Sequence, residues 1–218
     1  MLKCLHSTGC PFNSVTFAAA AEGGHLAVLK WLHDTVCPWD SDTFHAAAGG
    51  GHLEVLQWLH STGYTGYPWK SDTTCDVAAQ GGHLEMLKWL HSIGCPLDKF
   101  TCEEAAEGGH LEVLTWLHNQ GCPWNESTYH AAAAGGYLEV LKWLHGNGCP
   151  WANETCAAAA GSGYLEVLKW LHNTGCPWDE LNGVCAYAAD GGHLAVLTWA
   201  RGKNCPWNEW TCMHLRRL

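Results

Sequence analysis

Positive charge is scarce in this 218-residue chain: 11 lysines and arginines stand against 21 aspartates and glutamates, for a net charge of -10. Charged residues of either sign make up only 15%. Nucleic-acid recognition wants a basic face, and the one basic cluster, Arg216-Arg217, is too small to form one. Long apolar runs are also missing; none approaches the ~20 residues of a membrane span. Met1-Leu2-Lys3-Cys4-Leu5-His6 lacks the apolar core of a secretion signal. The expectation is therefore an intracellular chain, cytoplasmic or nuclear, that contacts neither nucleic acid nor membrane. No segment alternates apolar and polar residues with period two, so no strand is expected. Gly49-Gly50-Gly51 and similar runs lack the Gly-Lys-Ser/Thr ending of a phosphate loop.

What the chain has in abundance is itself. Gly136-Tyr137-Leu138-Glu139-Val140-Leu141-Lys142-Trp143-Leu144-His145 is followed by Cys149-Pro150-Trp151, and near-copies begin at Gly24, Gly51, Gly82, Gly109, Gly163 and Gly192. Most copies are 27 residues apart; the interval from His52 to His83 is 31 and that from Tyr164 to His193 is 29. A fixed period of this length marks a repeat array, in which each unit contacts only its neighbours. The array divides into a half unit over 1–9, seven full units over about 10–204, and a half unit over 205–218. Leu2-Lys3-Cys4-Leu5-His6 aligns with Leu29-Lys30-Trp31-Leu32-His33, so the chain starts in mid-unit, as a fragment of a longer protein would.

One unit, Cys122 to Gly148, serves for all. Asn125 or Thr128 can cap a first helix, Glu126 suits the dipole of its first turn, and the helix runs through Ala131, Ala132 and Ala133 until Gly135-Gly136 stops it. In the fourth unit, Thr101 with Glu104 has the capping-box spacing. The second helix spans Tyr137 to about Gly146. At 100° per residue, Leu138, Val140, Leu141, Trp143 and Leu144 cover a wide apolar arc. Such an arc fits a helix packed against its partner and both neighbouring units. Glu139 and Lys142 form a weak pair on the remaining strip.

These residues resemble the ankyrin repeat. Ala105-Ala106-Glu107-Gly108-Gly109-His110-Leu111-Glu112-Val113-Leu114 matches the family's Ala-Ala pair and Gly-His-Leu-Glu-Val run, and all seven units keep the Ala-Ala pair. His45 and His130 hold the family's histidine position. The family unit has 33 residues, and the missing six fall in the loop between units, where Gly-Cys-Pro-Trp replaces a projecting hairpin. The resemblance implies an all-α solenoid of stacked antiparallel helix pairs, a shortened 27-residue variant. Its implied function is a protein–protein interaction scaffold, monomeric, with no cofactor and no enzymatic activity.

Cysteine and histidine recur at the same period. Of the histidines closing the second helices, His33, His91, His118, His145 and His172 each have a cysteine four residues on, and His60 has none. Without Cys-x2-Cys spacing a zinc site needs further convergent ligands. The expectation is that each histidine bonds a loop carbonyl and each cysteine packs as a small hydrophobe. A metal- or redox-responsive array built on this His/Cys ladder is the alternative reading. An active site is marked by one-of-a-kind residues, and here cysteine and histidine are periodic. Thirteen cysteines is an odd number, and stacked helices lie roughly 10 Å apart, beyond the roughly 7 Å that a disulfide spans. Bridges between units are therefore not expected.

Tryptophan forms two ladders, one in the second helices (from Trp31 to Trp199) and one after the prolines (Trp39, Trp69, Trp124, Trp151, Trp178, Trp207). Both are expected to fill the space left by the shortened loops. Candidate binding residues are those that vary between units at one first-helix position, His45, Asp76, Glu103 and His130, where other units have alanine. Tyr64 and Tyr67 join them, because three of the four extra residues of the long interval fall between His60 and Pro68 and should loop outward.

Overall fold

The computed structural model describes residues 12–63, 73–152, 154–176 and 183–205, and within them every regular element is an α-helix. The chain divides into two compact parts, Met1–Leu97 and Asp98–Leu218.

Among the described residues the first part contains three helix pairs: α1 (Ser14–Glu22) with α2 (Leu26–Asp34), α3 (Ser41–Gly49) with α4 (Leu53–Ser61), and α5 (Thr74–Gln80) with α6 (Leu84–Ser92). The second contains four: α7 (Lys99–Glu107) with α8 (Leu111–Asn119), α9 (Glu126–Ala134) with α10 (Leu138–Gly146), α11 (Thr155–Gly161) with α12 (Leu165–Asn173), and α13 (Val184–Asp190) with α14 (Leu194–Gly202).

Within each part the first helices pack on one another: α1 on α3 and α3 on α5 in the first, α7 on α9, α9 on α11 and α11 on α13 in the second. Alanine makes this close approach possible. Ala47, Ala48, Ala105, Ala106, Ala132 and Ala133 are all fully buried. The second helices pack mainly on their own first helix, burying Val140, Leu141 and Leu144 in α10 and the matching trios elsewhere. The apolar arc is thus narrower than the pattern suggests. Leu138 and Trp143 are only half-buried, and His145 is exposed. Trp143 instead spans towards the preceding repeat, with its ring 5.7 Å from His118 and 5.6 Å from Trp124, edge-on to both. Trp39 lies between Phe17 (5.8 Å) and Phe44 (5.7 Å). Trp69, Trp178 and Trp207 lie outside the described residues.

Helix starts follow the capping logic with one shift. Asn125 accepts from the Ser127 N–H at 3.0 Å while the Thr128 hydroxyl accepts from the Asn125 N–H at 3.4 Å, so both candidate caps act together. In the fourth repeat the box is Asp98 with Thr101, not Thr101 with Glu104: Asp98 accepts from Phe100 and Thr101 N–H at 2.8 and 3.3 Å. The helix begins one turn earlier there, because Asp98 itself supplies the better acceptor. The turn between α3 and α4 is Gly50-Gly51, with φ -75° followed by +76°, the left-handed step that glycine takes without strain. On the exposed strip of α10, Lys142 pairs with Glu139 at 2.7 Å, and α6 and α12 repeat the pair. Such surface pairs contribute little.

Candidate interaction face and the cysteine junctions

Equivalent first-helix positions are brought into line within each part. In the first part, His45 on α3 and Asp76 on α5 are both half-buried. In the second, Glu103 on α7 is half-buried and His130 on α9 is exposed, and the two share a cleft of ≈ 360 Å³ with Glu107, Ala131, Ala134 and Gly135. A second cleft, ≈ 470 Å³, adjoins it and shares His130 and Ala134. Its remaining wall includes Glu154, Ala157, Ala158, Gly161, Tyr187 and Asp190. At the varying position the second cleft is lined by the small, buried Ala157. The two clefts carry Glu103, Glu107, Glu154 and Asp190, and no lysine or arginine is among the lining residues. The groove they form therefore presents negative charge beside one histidine and one exposed tyrosine, Tyr187. Tyr64 and Tyr67 lie outside the described residues.

The histidines divide their work differently from the expectation. Those closing the second helices sit at the edge of the apolar arc, exposed or half-buried, and present ring edges to the next tryptophan. His33 lies 5.7 Å from Trp58, His60 5.6 Å from Trp89, His145 5.8 Å from Trp170, and His172 5.6 Å from Trp199. The bonds to carbonyls shown here are made by the histidines of the inter-helix turns. His52 Nε2–H donates to the Glu22 carbonyl at 2.8 Å, His83 to Gly49 at 3.2 Å and His193 to Gly161 at 2.9 Å. Each bond ties one repeat to the end of the previous first helix. A carbonyl only accepts, so each ring carries its proton on Nε2. Among the described residues no three His, Cys, Asp or Glu side chains converge as metal ligands would.

The described cysteines are all buried, as small apolar side chains would be. Three at the junctions hold the start of the preceding first helix. Cys37, Cys122 and Cys149 donate through Sγ to the carbonyl of the N-cap residue 24 positions earlier: Asn13 at 3.5 Å, Asp98 at 3.0 Å and Asn125 at 3.5 Å. Sequence reasoning missed a second feature. The Cys102 and Cys122 sulfurs are only 3.2 Å apart, and Cys156 with Cys176 and Cys185 with Cys205 are likewise hydrogen-bonded thiol to thiol. The signal was available. A first-helix cysteine is followed 20 residues later by a junction cysteine at 75/95, 102/122, 156/176 and 185/205. The corresponding first-helix residue is aromatic in the other repeats: Phe17, Phe44 and Tyr129.

Comparison with known proteins agrees with this architecture. A family described as ankyrin repeats (many copies) matches residues 17–60, 44–91 and 102–145, together more than half of the chain. Among solved structures, the crystal structure of the human ASB11 ankyrin repeat domain is similar at a TM-score of 0.60 and 20% identity, covering 84% of this chain and 96% of that one. No curated protein sequence matches the chain.

Proposed function

The chain belongs to the ankyrin repeat family, and from that premise we propose that it is a non-catalytic scaffold for protein–protein interaction, working as a monomer without a cofactor. Ankyrin repeat domains are typically interaction modules. Packed repeats hold a long surface in fixed form, so little order is lost when a partner docks.

The observation that carries the reading is the groove of Glu103 and His130. The first-helix position that varies most between repeats lines two adjoining clefts, while the Ala-Ala pair two residues on stays uniform and buried. Variation at an open, shaped surface is what partner choice requires; variation at a packed one would disrupt stacking. The acidic rim favours a partner segment bearing lysine or arginine. His45 and Asp76 occupy the equivalent register in the first part, and Tyr64 and Tyr67 would add a protruding contact.

The test is quantitative affinity capture with the full chain, comparing wild type with His130→Ala, Glu103→Ala and Tyr187→Ala. The reading expects a defined partner to be lost or weakened at least tenfold while thermal unfolding stays unchanged. Retention of the same partners at the same affinity by all three folded variants would refute the assignment of this face.

A further inference from the structure

Three repeats of the second part place two sulfurs in contact where nothing in the stacking of helices requires it. Cys102, Cys156 and Cys185 sit on first helices at 0–1% exposure, and their partners Cys122, Cys176 and Cys205 sit at the junctions at 4–6%. In the pair whose separation is shown, the sulfurs are 3.2 Å apart. Two non-bonded sulfurs normally rest farther apart, and a disulfide needs about 2.05 Å, so closure asks for a shift of roughly 1 Å shared between a helix side chain and a loop. We infer that Cys102–Cys122, Cys156–Cys176 and Cys185–Cys205 are oxidisable dithiols, each closing to a disulfide between a first helix and the junction that follows its helix pair on reaction with hydrogen peroxide. These dithiols are separate from the interaction face and need no partner.

The two sulfurs of a pair are not equivalent. The junction thiol reaches the surface slightly, so a small neutral oxidant meets it first. It is also the sulfur that accepts. The hydrogen bond from Cys156 holds Cys176 below the usual thiol range, against the effect of burial, and that from Cys185 does the same for Cys205. The donors Cys156 and Cys185 are raised, first by that hydrogen bond and then by burial. Cys149 shows what the same junction position does without a first-helix cysteine. Facing Tyr129, it is pushed up to about 12 by burial. Pairing therefore makes Cys176 and Cys205 the more acidic sulfurs of their pairs, and the thiolate is the form that peroxide oxidises.

The chemistry balances as follows. The Cys176 thiolate attacks one oxygen of hydrogen peroxide; an S–O bond forms, the O–O bond breaks, and the hydroxide released takes up a proton to leave as water. The sulfenic acid left on Cys176 is then attacked by the Cys156 sulfur. The S–S bond forms, the S–O bond breaks, and the departing hydroxide takes the Cys156 proton to become a second water. Two thiols are oxidised by two electrons and one peroxide is reduced. Burial of the resolving sulfur against its partner favours this outcome over further oxidation to the sulfinic acid.

The experiment uses the full chain, reduced, freed of reductant and treated with a graded excess of hydrogen peroxide. Residual thiols are then alkylated in denaturant and the disulfide-linked peptides mapped by mass spectrometry without reduction. The expected result is peptides joined Cys102 to Cys122, Cys156 to Cys176 and Cys185 to Cys205, each lighter by two hydrogens, while Cys149 is alkylated as a free thiol. The variant Cys102→Ala should leave Cys122 reduced and the other two bridges intact. Recovery of all six cysteines as free thiols or sulfinic acids would overturn the inference. So would bridges from any of these six cysteines to a partner outside its own pair, in wild type or variant.

Discussion

Gly50 offers the sharpest test of how one repeat is fastened to the next. It follows α3 with φ -75°, so alanine there meets no backbone strain. What it meets is the neighbouring repeat. A Cβ at Gly50 would clash with the Glu22 carbonyl oxygen and approach His52 Cδ2 and Nε2 to 2.7 and 2.9 Å. These are the two ends of the 2.8 Å hydrogen bond between His52 and Glu22. The methyl group can be housed only if that bond breaks and the two repeats part. Losing the bond costs about 1 kcal/mol, and forcing a group into a filled space costs about 1–3 kcal/mol. Replacing glycine by alanine at a compatible φ returns about 0.5–1 kcal/mol. The net expectation for Gly50→Ala is a loss of about 1–3 kcal/mol by the same principles.

Two controls separate the causes. Gly63→Ala has φ +76° and open space around it, so it reads backbone strain alone, about 1 kcal/mol. His52→Ala removes the hydrogen bond without adding volume, again about 1 kcal/mol. Urea unfolding followed by tryptophan fluorescence measures all three, and the double variant Gly50→Ala/His52→Ala should cost less than the sum because both changes remove the same bond. If Gly50→Ala proves no more costly than Gly63→Ala, the close approach of carbonyl, glycine and imidazole does not hold the repeats together.

Further outcomes follow from single residues. Val36 has φ +59° at a junction position where five other repeats carry glycine and the last carries Asn204, and it is 87% exposed, so Val36→Gly sheds strain without losing packing and should raise stability by about 1 kcal/mol in urea melts. The Tyr129 hydroxyl is buried with no hydrogen-bond partner among the described residues, so Tyr129→Phe should hold or raise stability by about 1 kcal/mol; a clear loss would mean the hydroxyl is bonded. Cys149 is pushed up from 9.0 to about 12 by burial, so above pH 9.0 the unfolded chain releases this proton first and stability falls as pH rises towards 12. Cys149→Ala should flatten that fall in unfolding midpoints followed through this window, and an identical slope would count against the burial argument. Replacing Tyr64-Thr65-Gly66-Tyr67 by one cysteine restores the regular junction sequence and should preserve folding while lowering partner affinity; unchanged affinity in the folded variant removes these tyrosines from the interface.

The helix pairs were legible because their signals are redundant. In α9 and α10, Asn125, the alanine run, the Gly135-Gly136 stop and the Leu/Val spacing all agree, so an error in any one is absorbed by the rest. The exact start of α7 was not, because Asp98 and Thr101 are both good caps and only the tertiary position of the helix chooses between them. The histidine roles were misread for a related reason. Two histidines per repeat have the same chemistry, and which one reaches a carbonyl depends on where the preceding helix ends. His52 meets Glu22 because α1 stops there, and His33 meets Trp58 because the second helices stand apart.

The cysteines show where reasoning by period goes wrong. Treating each cysteine as one rung asks only whether equivalent atoms in successive repeats can touch, and roughly 10 Å says they cannot. The contact that exists joins two different positions 20 residues apart, a first helix and the junction after its helix pair, and periodicity hides it because every rung looks alike. It becomes visible only when rungs are compared by what fails to recur. Where Tyr129 or Phe17 replaces the first-helix cysteine, Cys149 and Cys37 stand without a sulfur partner 20 residues earlier, and burial raises both thiols. At Cys156–Cys176 and Cys185–Cys205, thiol bonds to thiol and the junction sulfur is made more acidic. A packing residue asks only for volume, and the aromatic rings show that this site accepts much more volume than a cysteine provides. The small residue at 102, 156 and 185 is therefore better explained by its sulfur than by its size.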